Sequence, residues 1–558
     1  MLAILTILIY LSFSLLLMGI ALVRPRSRFV WLIAALASLA GWVMMLLLFP
    51  GRAGASQDIF LLPTWAPQSS LPSASLPSEL SVQVDAVSWA VALAVASLCL
   101  ASILSDAARP SERHWSSWSG SLALTGLAML AAISGSPVVL LLAWTALDLA
   151  EVLVLLGQGY TSRSSEPVVI IFSIRLIGSL VCVGGILQAA AAGFALSFEQ
   201  MTSTGALYLL LGAGLRLAVL PFYPPLRENF LAGRSLRTIF HLAPVAACLV
   251  LLTRIASVEI AAGAAGSLLL LIGIIAAFSA FAWVTSPNGF RGRRFWSMGM
   301  ACLVAASALR QQPQASLAWS LVLLLPGGLL LLSDVIRNSG GAFKSLARLQ
   351  YILVGLGLLG MLALPYTPAW NGLLLYSGPP AQTGARSMGT ATYIAIYIFF
   401  PIAQALLVTG YARHFLRRPP VIEVGDIQRW DWALYASGLF LLPLAQFGIL
   451  AWIGQLLQGP GLSLHWPLLV TAVLAGLALA WFSSQERRKY RTVRRLGQAI
   501  VRFVSFGWLY QAFSALYRLA KRTTGFISMI LEGQGGVLWA LLLLVLLLTV
   551  ITSAGTGP

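Results

Sequence analysis

Long apolar runs separated by short polar segments form the pattern of this chain almost from end to end. Runs of about 18 or more apolar residues recur at roughly sixteen places, and a membrane-spanning helix needs about 20. The pattern therefore predicts an all-α, polytopic integral membrane protein with about sixteen transmembrane helices. The first run, residues 1–23, has neither a charged start nor a cleavage site, so we expect a retained span rather than a signal peptide.

Closely spaced prolines interrupt two of these runs. The sequence LPFYP ends one run at residues 220–224, and LPYTP ends another at residues 364–368. A proline removes a backbone donor that lipid cannot replace, so such breaks are tolerated inside a helix bundle. One broken helix in each half of a chain is typical of transporters built from inverted repeats. The breaks are expected at Pro221, Pro224, Pro365 and Pro368.

The two breaks suggest a division of the chain into four parts. We expect three spans in residues 1–117, a first repeat in residues 118–256, a second repeat in residues 257–412 and further spans in residues 413–558. Within the last part, apolar residues recur at three- and four-residue steps against arginines over residues 485–525. This spacing predicts an amphipathic helix along the membrane surface, followed by a final span.

The composition excludes a soluble globule. The chain is 59% hydrophobic and 9% charged, whereas about a quarter of the residues in a soluble domain are charged. The net charge of +18 comes from basic residues in short loops between the runs, where the positive-inside rule places cytoplasmic loops. The charge therefore indicates a membrane topology and no binding of nucleic acid. It predicts a multi-pass protein of the cell (inner) membrane, in contact with the lipid bilayer, with both termini outside.

The chain shows little sign of enzymatic chemistry of its own. Its cysteines lie singly in apolar runs, which is typical of small core residues and indicates neither a metal site nor a disulfide frame. These cysteines are Cys99, Cys182, Cys248 and Cys302. Neither a nucleotide-binding loop nor a soluble domain is evident. We therefore expect no catalytic residues, no cofactor and no metal.

Few ionisable residues fall at membrane depth. Asp148 and Glu151 are the acidic residues in the middle of a predicted span, and they share a helix face. Arg175, Arg216 and His241 lie in other spans. Charges inside a membrane usually line an ion or proton path. The alternative is a buried structural ion pair, such as Asp148 with Arg216, which removes the cost of both charges without moving anything.

Two features weigh against a working proton relay. Arginine stays protonated, whereas a lysine can be tuned to release its proton, and no lysine lies within a predicted span. The three lysines are Lys344, Lys489 and Lys521, all in or beside loops. His241 is the histidine near a span's interior, and a hydrogen bond to a backbone carbonyl at the end of its helix accounts for it without a relay.

Several short motifs follow one another in the order of a known family. They are Val84-Asp85-Ala86-Val87-Ser88, Leu142-Ala143-Trp144, Ser173-Ile174-Arg175-Leu176-Ile177-Gly178, Gly214-Leu215-Arg216 with Pro221-Phe222, Arg293-Arg294-Phe295-Trp296-Ser297 and Leu364-Pro365. In this order they resemble the antiporter-like membrane subunits of proton-pumping NADH:quinone oxidoreductase (complex I) and of multisubunit cation/proton antiporters. The large distal subunit of complex I is closest in layout.

The chain departs from the family's pattern at positions that handle protons. The family's glutamate, its key lysine and its aspartate correspond here to Thr145, Arg216 and Ser179. The family's central histidine and lysine fall in the apolar residues 321–332, and its distal lysine is absent near Gly372. These departures leave the implied fold intact and place proton pumping in question.

The resemblance implies a membrane subunit of a complex I-like or related proton- or cation-translocating assembly, at most a non-catalytic subunit of an enzyme complex. It also implies other membrane subunits as partners. Asp148, one turn beyond Thr145, is the candidate substitute for the missing glutamate. If the chain transports, Asp148 and Arg216 form a switchable pair that Glu151 and Arg175 tune. Two alternatives stay open, namely a transport-inactive scaffold subunit and a membrane subunit of an inorganic-carbon uptake system.

Overall fold

The structure is a computed structural model of the chain. It describes residues 2–23, 30–48, 57–62, 80–108, 115–156, 166–193, 197–198, 201–217, 234–258, 260, 262–286, 289–333, 344–362, 367–376, 389–416, 429–453, 473–477, 479–480, 515, 518–519, 522–524 and 535–554. The chain divides into two compact units, residues 1–498 and residues 499–558.

Helices make up nearly all of the described first unit. They are α1 (Leu2–Val23), α2 (Val30–Leu47), α3 (Ala86–Ser105), α4 (Trp115–Ala132), α5 (Pro137–Leu156), α6 (Glu166–Ala191), α7 (Ser203–Arg216), α8 (Arg234–Ile255), α9 (Ala262–Thr285), α10 (Gly289–Leu309), α11 (Pro313–Leu332), α12 (Lys344–Met361), α13 (Pro368–Gly372), α14 (Thr390–Ile394), α15 (Phe400–Leu416) and α16 (Arg429–Ile453). A π-helical turn joins α14 to α15. The second unit contains α17 (Gly535–Ala554).

These helices confirm the prediction of an all-α, polytopic membrane protein. Within the described residues, ten helices are long and apolar enough to cross a membrane. An apolar run can span lipid as a helix because each backbone group then bonds within its own segment. The total of about sixteen spans stays a prediction. The amphipathic helix predicted over residues 485–525 falls almost wholly outside the described residues.

A small antiparallel pair of strands precedes α3. Strand β1 (Gln57–Leu62) pairs with β2 (Leu80–Val84), with Gln57 opposite Val84. Asp85 then caps α3, because its carboxylate accepts from the Ser88 N–H at 2.7 Å while the Ser88 hydroxyl accepts from the Asp85 N–H at 2.9 Å. This reciprocal pair of hydrogen bonds fixes the start of the helix. It gives the family-like motif at residues 84–88 a structural role.

The centre of the first unit consists of α3, α8 and α11. About nine-tenths of the spanning part of each is buried, against about a third for α1 and α2. A helix that is apolar on every side packs stably when other helices surround it. The site described below lies beside this centre, where α5, α6 and α7 pack next to α8.

The structure describes the surroundings of the predicted breaks in part. Helix α7 ends at Arg216, and the break expected at Pro221 and Pro224 lies outside the described residues. Pro365 also lies outside them. Pro368 occupies the first turn of α13, where a missing N–H leaves no hydrogen bond unmade.

Candidate functional site

Four of the charged residues predicted at membrane depth form one cluster. Arg216, the last residue of α7, donates from Nη1 to Asp148 Oδ2 at 2.7 Å and from Nη2 to Asp148 Oδ1 at 2.8 Å. Arg175 on α6 donates from Nη1 to Glu151 Oε2 and lies 3.7 Å from Asp148 Oδ1. Two carboxylates face two guanidinium groups, so the formal charges cancel.

The cluster is buried as well as neutral. Asp148 and Arg216 are 5% exposed, Glu151 is 3% exposed and Arg175 is 9% exposed. An isolated buried charge is strongly unfavourable, and pairing with hydrogen bonds offsets that cost. Both interpretations of the sequence, a path or a structural ion pair, require the contact between Asp148 and Arg216. The contact alone therefore does not separate them.

The surroundings of Arg216 fit a guanidinium group closely. Its Nη1 also donates to the Ser179 hydroxyl at 2.8 Å and to the Arg175 carbonyl at 3.2 Å. Its guanidinium carbon lies 4.4 Å from the centre of the Trp144 ring. A forked bond to a carboxylate together with stacking on an aromatic ring is a geometry that lysine cannot reproduce. The resemblance places charged residues at positions 179 and 216. In this chain Ser179 and Arg216 occupy them and form a hydrogen bond with each other.

Glycines allow α6 and α7 to approach closely beside the cluster. A Cβ atom on Gly178 would lie 2.9 Å from both Arg216 Cγ and the Gly212 carbonyl oxygen. A Cβ atom on Gly212 would lie 2.3 Å from Cys182 Sγ. Real Cβ atoms do not make such contacts, so any larger residue at either position would push the helices apart. The two glycines therefore bring Arg216 close to α6, where it donates to the Ser179 hydroxyl and the Arg175 carbonyl.

A cavity of about 10 Å³ lies beside the carboxylates. Asp148, Glu151 and Arg175 line it together with apolar side chains, among them Phe240 of α8. A water molecule needs about 10–15 Å³ of such space, so the cavity has room for about one. Within the described residues, Glu151 Oε1 accepts no hydrogen bond. The cavity thus offers a water site next to an oxygen that accepts no hydrogen bond from the part of the chain the structure describes.

Thr145, the position that corresponds to the family's glutamate, does not belong to the cluster. It lies on the exposed face of α5, and its hydroxyl donates to the Leu142 carbonyl at 2.8 Å. Asp148 lies on the buried face of the same helix. A carboxylate that contacts Arg216 therefore comes from position 148 in this chain.

His241 makes its hydrogen bond away from the four charges. Its Nε2 lies 3.1 Å from the Ser297 hydroxyl on α10, and that hydroxyl donates to the Arg293 carbonyl at 2.9 Å. Because Ser297 uses its proton there, it accepts from His241 Nε2–H. The partner is a side-chain hydroxyl, so the backbone carbonyl expected in the alternative interpretation is wrong.

A second histidine, which the sequence analysis did not single out, lies against Arg293. The Nε2 atom of His414 on α15 lies 3.5 Å from Arg293 Nη2, and its ring centre lies 5.6 Å from that of Trp283. His414 directly follows Arg413 in a basic stretch, so the sequence pattern indicated only a cytoplasmic helix end. Its rarity, as one of four histidines, was the available signal.

The described residues near the second break are neutral. The Tyr376 hydroxyl donates to Gln404 Oε1 at 2.9 Å, and the nearby Asn371 is 5% exposed. Within the described residues, Asn371 Oδ1 and Gln404 Nε2 have no hydrogen-bond partner. Amides therefore stand where the resemblance places a lysine.

Comparison with solved structures identifies the fold. The chain is similar to a chain of the Mrp complex from Dietzia sp. DQ12-45-1b, with a TM-score of 0.71 and 14% identity over 100% of this chain and 63% of that one. The chain has the fold of antiporter-like membrane subunits. A chain of the membrane-bound sulfane sulfur reductase, an archaeal respiratory membrane complex, matches this antiporter-like fold with a TM-score of 0.61 and 14% identity, over 98% and 99% of the two chains.

A chain of respiratory complex I from Thermus thermophilus shares the antiporter-like fold too. Its TM-score is 0.56 at 17% identity, over 80% of this chain and 98% of that one. No family model matches the chain, and the search of curated proteins found no match. The chain spans 63% of the length of the Mrp chain. These comparisons confirm the resemblance to antiporter-like subunits at the level of the fold.

Proposed function

We propose that the chain is a membrane subunit of a multisubunit assembly that translocates protons or cations. The observation that supports this proposal is the buried cluster of Asp148, Glu151, Arg175 and Arg216 within an antiporter-like fold. Ionisable groups at membrane depth are costly, and they usually mark an ion path. Three structural neighbours are chains of multisubunit membrane complexes, which supports other membrane subunits as partners.

In this proposal the pair of Asp148 and Arg216 opens and closes. Arg216 keeps its proton, so it carries a permanent positive charge. In this proposal its side chain moves toward or away from Asp148. Arg175 contacts Glu151 and also lies 3.7 Å from Asp148 Oδ1, so it can share either carboxylate. A shift of Arg175 toward Asp148 weakens the contact between Asp148 and Arg216. Glu151 and Arg175 thereby tune the pair.

His241 extends the proposed path toward α10. Phe240, its neighbour on α8, lines the cavity beside the carboxylates. The Ser297 hydroxyl fixes the His241 ring on the other side. An imidazole ring has two nitrogens that can donate or accept a hydrogen bond on opposite sides, so it is suited to pass a proton.

The arrangement in the membrane is part of the same proposal. We infer two inverted repeats, residues 118–256 and 257–412, and a position in the cell (inner) membrane with both termini outside. Basic residues in alternate loops support this topology. The partner subunits and the lipid bilayer cover the apolar outer faces of α1 and α2, in which only about a third of the spanning residues are buried.

A transport-inactive scaffold is the second candidate. Helix α11 carries no ionisable residue, and about nine-tenths of it is buried. Near the second break, the described polar groups are the neutral Asn371, Tyr376 and Gln404. The absence of charge from the described residues of α11 fits a subunit that retains the architecture and docks partners.

Reconstitution separates the two candidates. The chain is purified with the subunits that accompany it, placed in liposomes, and internal pH is followed under an imposed potential. We expect proton flux in the wild type and its loss in Asp148→Asn. Absence of flux in the wild type, with partner subunits still bound, would establish the scaffold.

A further inference from the structure

We propose that Glu151, rather than Asp148, is the carboxylate that takes up the transported proton. The inference rests on the proposed function and names the proton carrier within it. It follows from the different surroundings of the two carboxylates on α5.

Both oxygens of Asp148 already accept a hydrogen bond from Arg216. Arg216 donates to Oδ2 at 2.7 Å and to Oδ1 at 2.8 Å. A proton on Asp148 would remove the negative charge that Arg216 pairs with, and would weaken this forked contact. We therefore assign to Asp148 the role of binding Arg216.

Glu151 has one oxygen in use and one available. Arg175 donates to Oε2, whereas Oε1 receives no hydrogen bond within the described residues. Glu151 is 3% exposed, so bulk water does not reach this oxygen freely. A proton can bind Oε1 while Oε2 continues to accept from Arg175.

The cavity beside Glu151 supplies the route for that proton. It has a volume of about 10 Å³ and includes Glu151, Arg175 and Phe240 in its lining. A cavity of this size is just large enough for one water molecule, and Glu151, Asp148 and Arg175 are the polar residues of its lining. A hydronium ion at this position transfers one proton to Oε1: one of its O–H bonds breaks, an O–H bond forms on Glu151 and a neutral water molecule remains. The reverse step restores the carboxylate.

The charges around Glu151 make its protonation reversible. Asp148 shares its helix, Arg175 lies on α6 and Arg216 on α7, while α4 and strand β2 contribute no ionisable residue. On α8, His241 follows Phe240. The cluster is neutral with both carboxylates ionised, and it gains one positive charge when Glu151 is protonated. That charge favours release, and Arg175 can move to Asp148 Oδ1, 3.7 Å away.

Glu151→Gln tests the assignment, because the amide has the shape of a protonated carboxyl group and can still accept from Arg175. We expect this variant to remain monodisperse, to keep its partner subunits and to lose proton flux. Glu151→Asp, which retains a carboxylate, should recover part of the flux. Flux at the wild-type rate in a folded Glu151→Gln variant would overturn the proposal.

Infrared difference spectra between high and low pH provide a readout that does not depend on transport. The wild type should show the C=O band of a protonated carboxylic acid, shifted in D₂O. This band should be absent from Glu151→Gln and present in the control Asp85→Asn. Persistence of the band in Glu151→Gln, or its absence from the wild type, would overturn the assignment. A band assigned to Glu151 without flux in the wild type would overturn the proposed function alone.

Discussion

Arg216 contacts Asp148 through both of its terminal nitrogens, at 2.7 Å and 2.8 Å, across 68 residues of sequence. A forked guanidinium–carboxylate contact is stronger and more directional than a contact with lysine. The position where the resemblance places a lysine thus holds a cation that keeps its proton. If the site conducts, the proton must travel on another group. This requirement underlies the assignment of Glu151.

Arg216→Lys should destabilise the protein although it preserves the charge. Lysine loses one of the two bonds to Asp148 and the stacking on Trp144. Hydrogen bonds to charged groups contribute about 1.5–3 kcal/mol, so we expect a loss of that order. Thermal unfolding of the purified protein in detergent measures it. An unchanged unfolding midpoint would contradict the forked contact.

Arg216→Gln should cost more than the double variant Asp148→Asn with Arg216→Gln. The single change leaves a buried carboxylate without its main partner, and such a change costs about 3–5 kcal/mol. The double change removes both charges. Unfolding midpoints of the wild type, both single variants and the double variant complete the cycle. Additive effects of the two substitutions would show that the side chains do not interact.

Gly178→Ala should lower both stability and flux. The new methyl group would lie 2.9 Å from Arg216 Cγ, so α6 and α7 must separate. Overpacking of this kind costs about 1–3 kcal/mol. Gly184→Ala is the matched control on the same helix, because its Cβ atom meets nothing within 4 Å. Equal effects at the two positions would contradict the close approach.

Ser297→Ala should reduce flux with little loss of stability. The change removes the hydroxyl that holds His241 Nε2 at 3.1 Å, and a single hydrogen bond contributes about 1 kcal/mol to stability. Ser307→Ala is the control, since that hydroxyl donates to the Leu303 carbonyl of its own helix. Equally slow proton flux in both variants would show that the hydrogen bond from Ser297 to His241 has no specific role in transport.

The members of the cluster could be predicted from the sequence, but their pairing could not. Asp148 and Glu151 are three residues apart, and helical periodicity alone places both on one face. Which arginine meets which carboxylate depends on the packing of α5, α6 and α7. The close approach of α6 and α7 depends on Gly178 and Gly212. Two single glycines do not form a periodic pattern from which this contact could be predicted.

The short motifs located the helix that carries the buried carboxylate, but not the position of that carboxylate on the helix. The alignment placed the family's glutamate at Thr145, which lies on the exposed face of α5. The position of His414 against Arg293 joins residues 121 apart, and no local pattern links them. Sequence spacing reports neighbours on one helix, whereas contacts between helices depend on how the helices pack.

Proton flux through the charge-neutral double variant, Asp148→Asn with Arg216→Gln, tests the central claim most directly. The double substitution removes both charges of the pair and leaves the net charge of the protein unchanged. Asp85→Asn serves as the control, because asparagine also caps helices. We expect flux to fall to the level of protein-free liposomes in the double variant and to stay at the wild-type level in Asp85→Asn. Wild-type flux in the double variant would show that transport does not require the pair of Asp148 and Arg216.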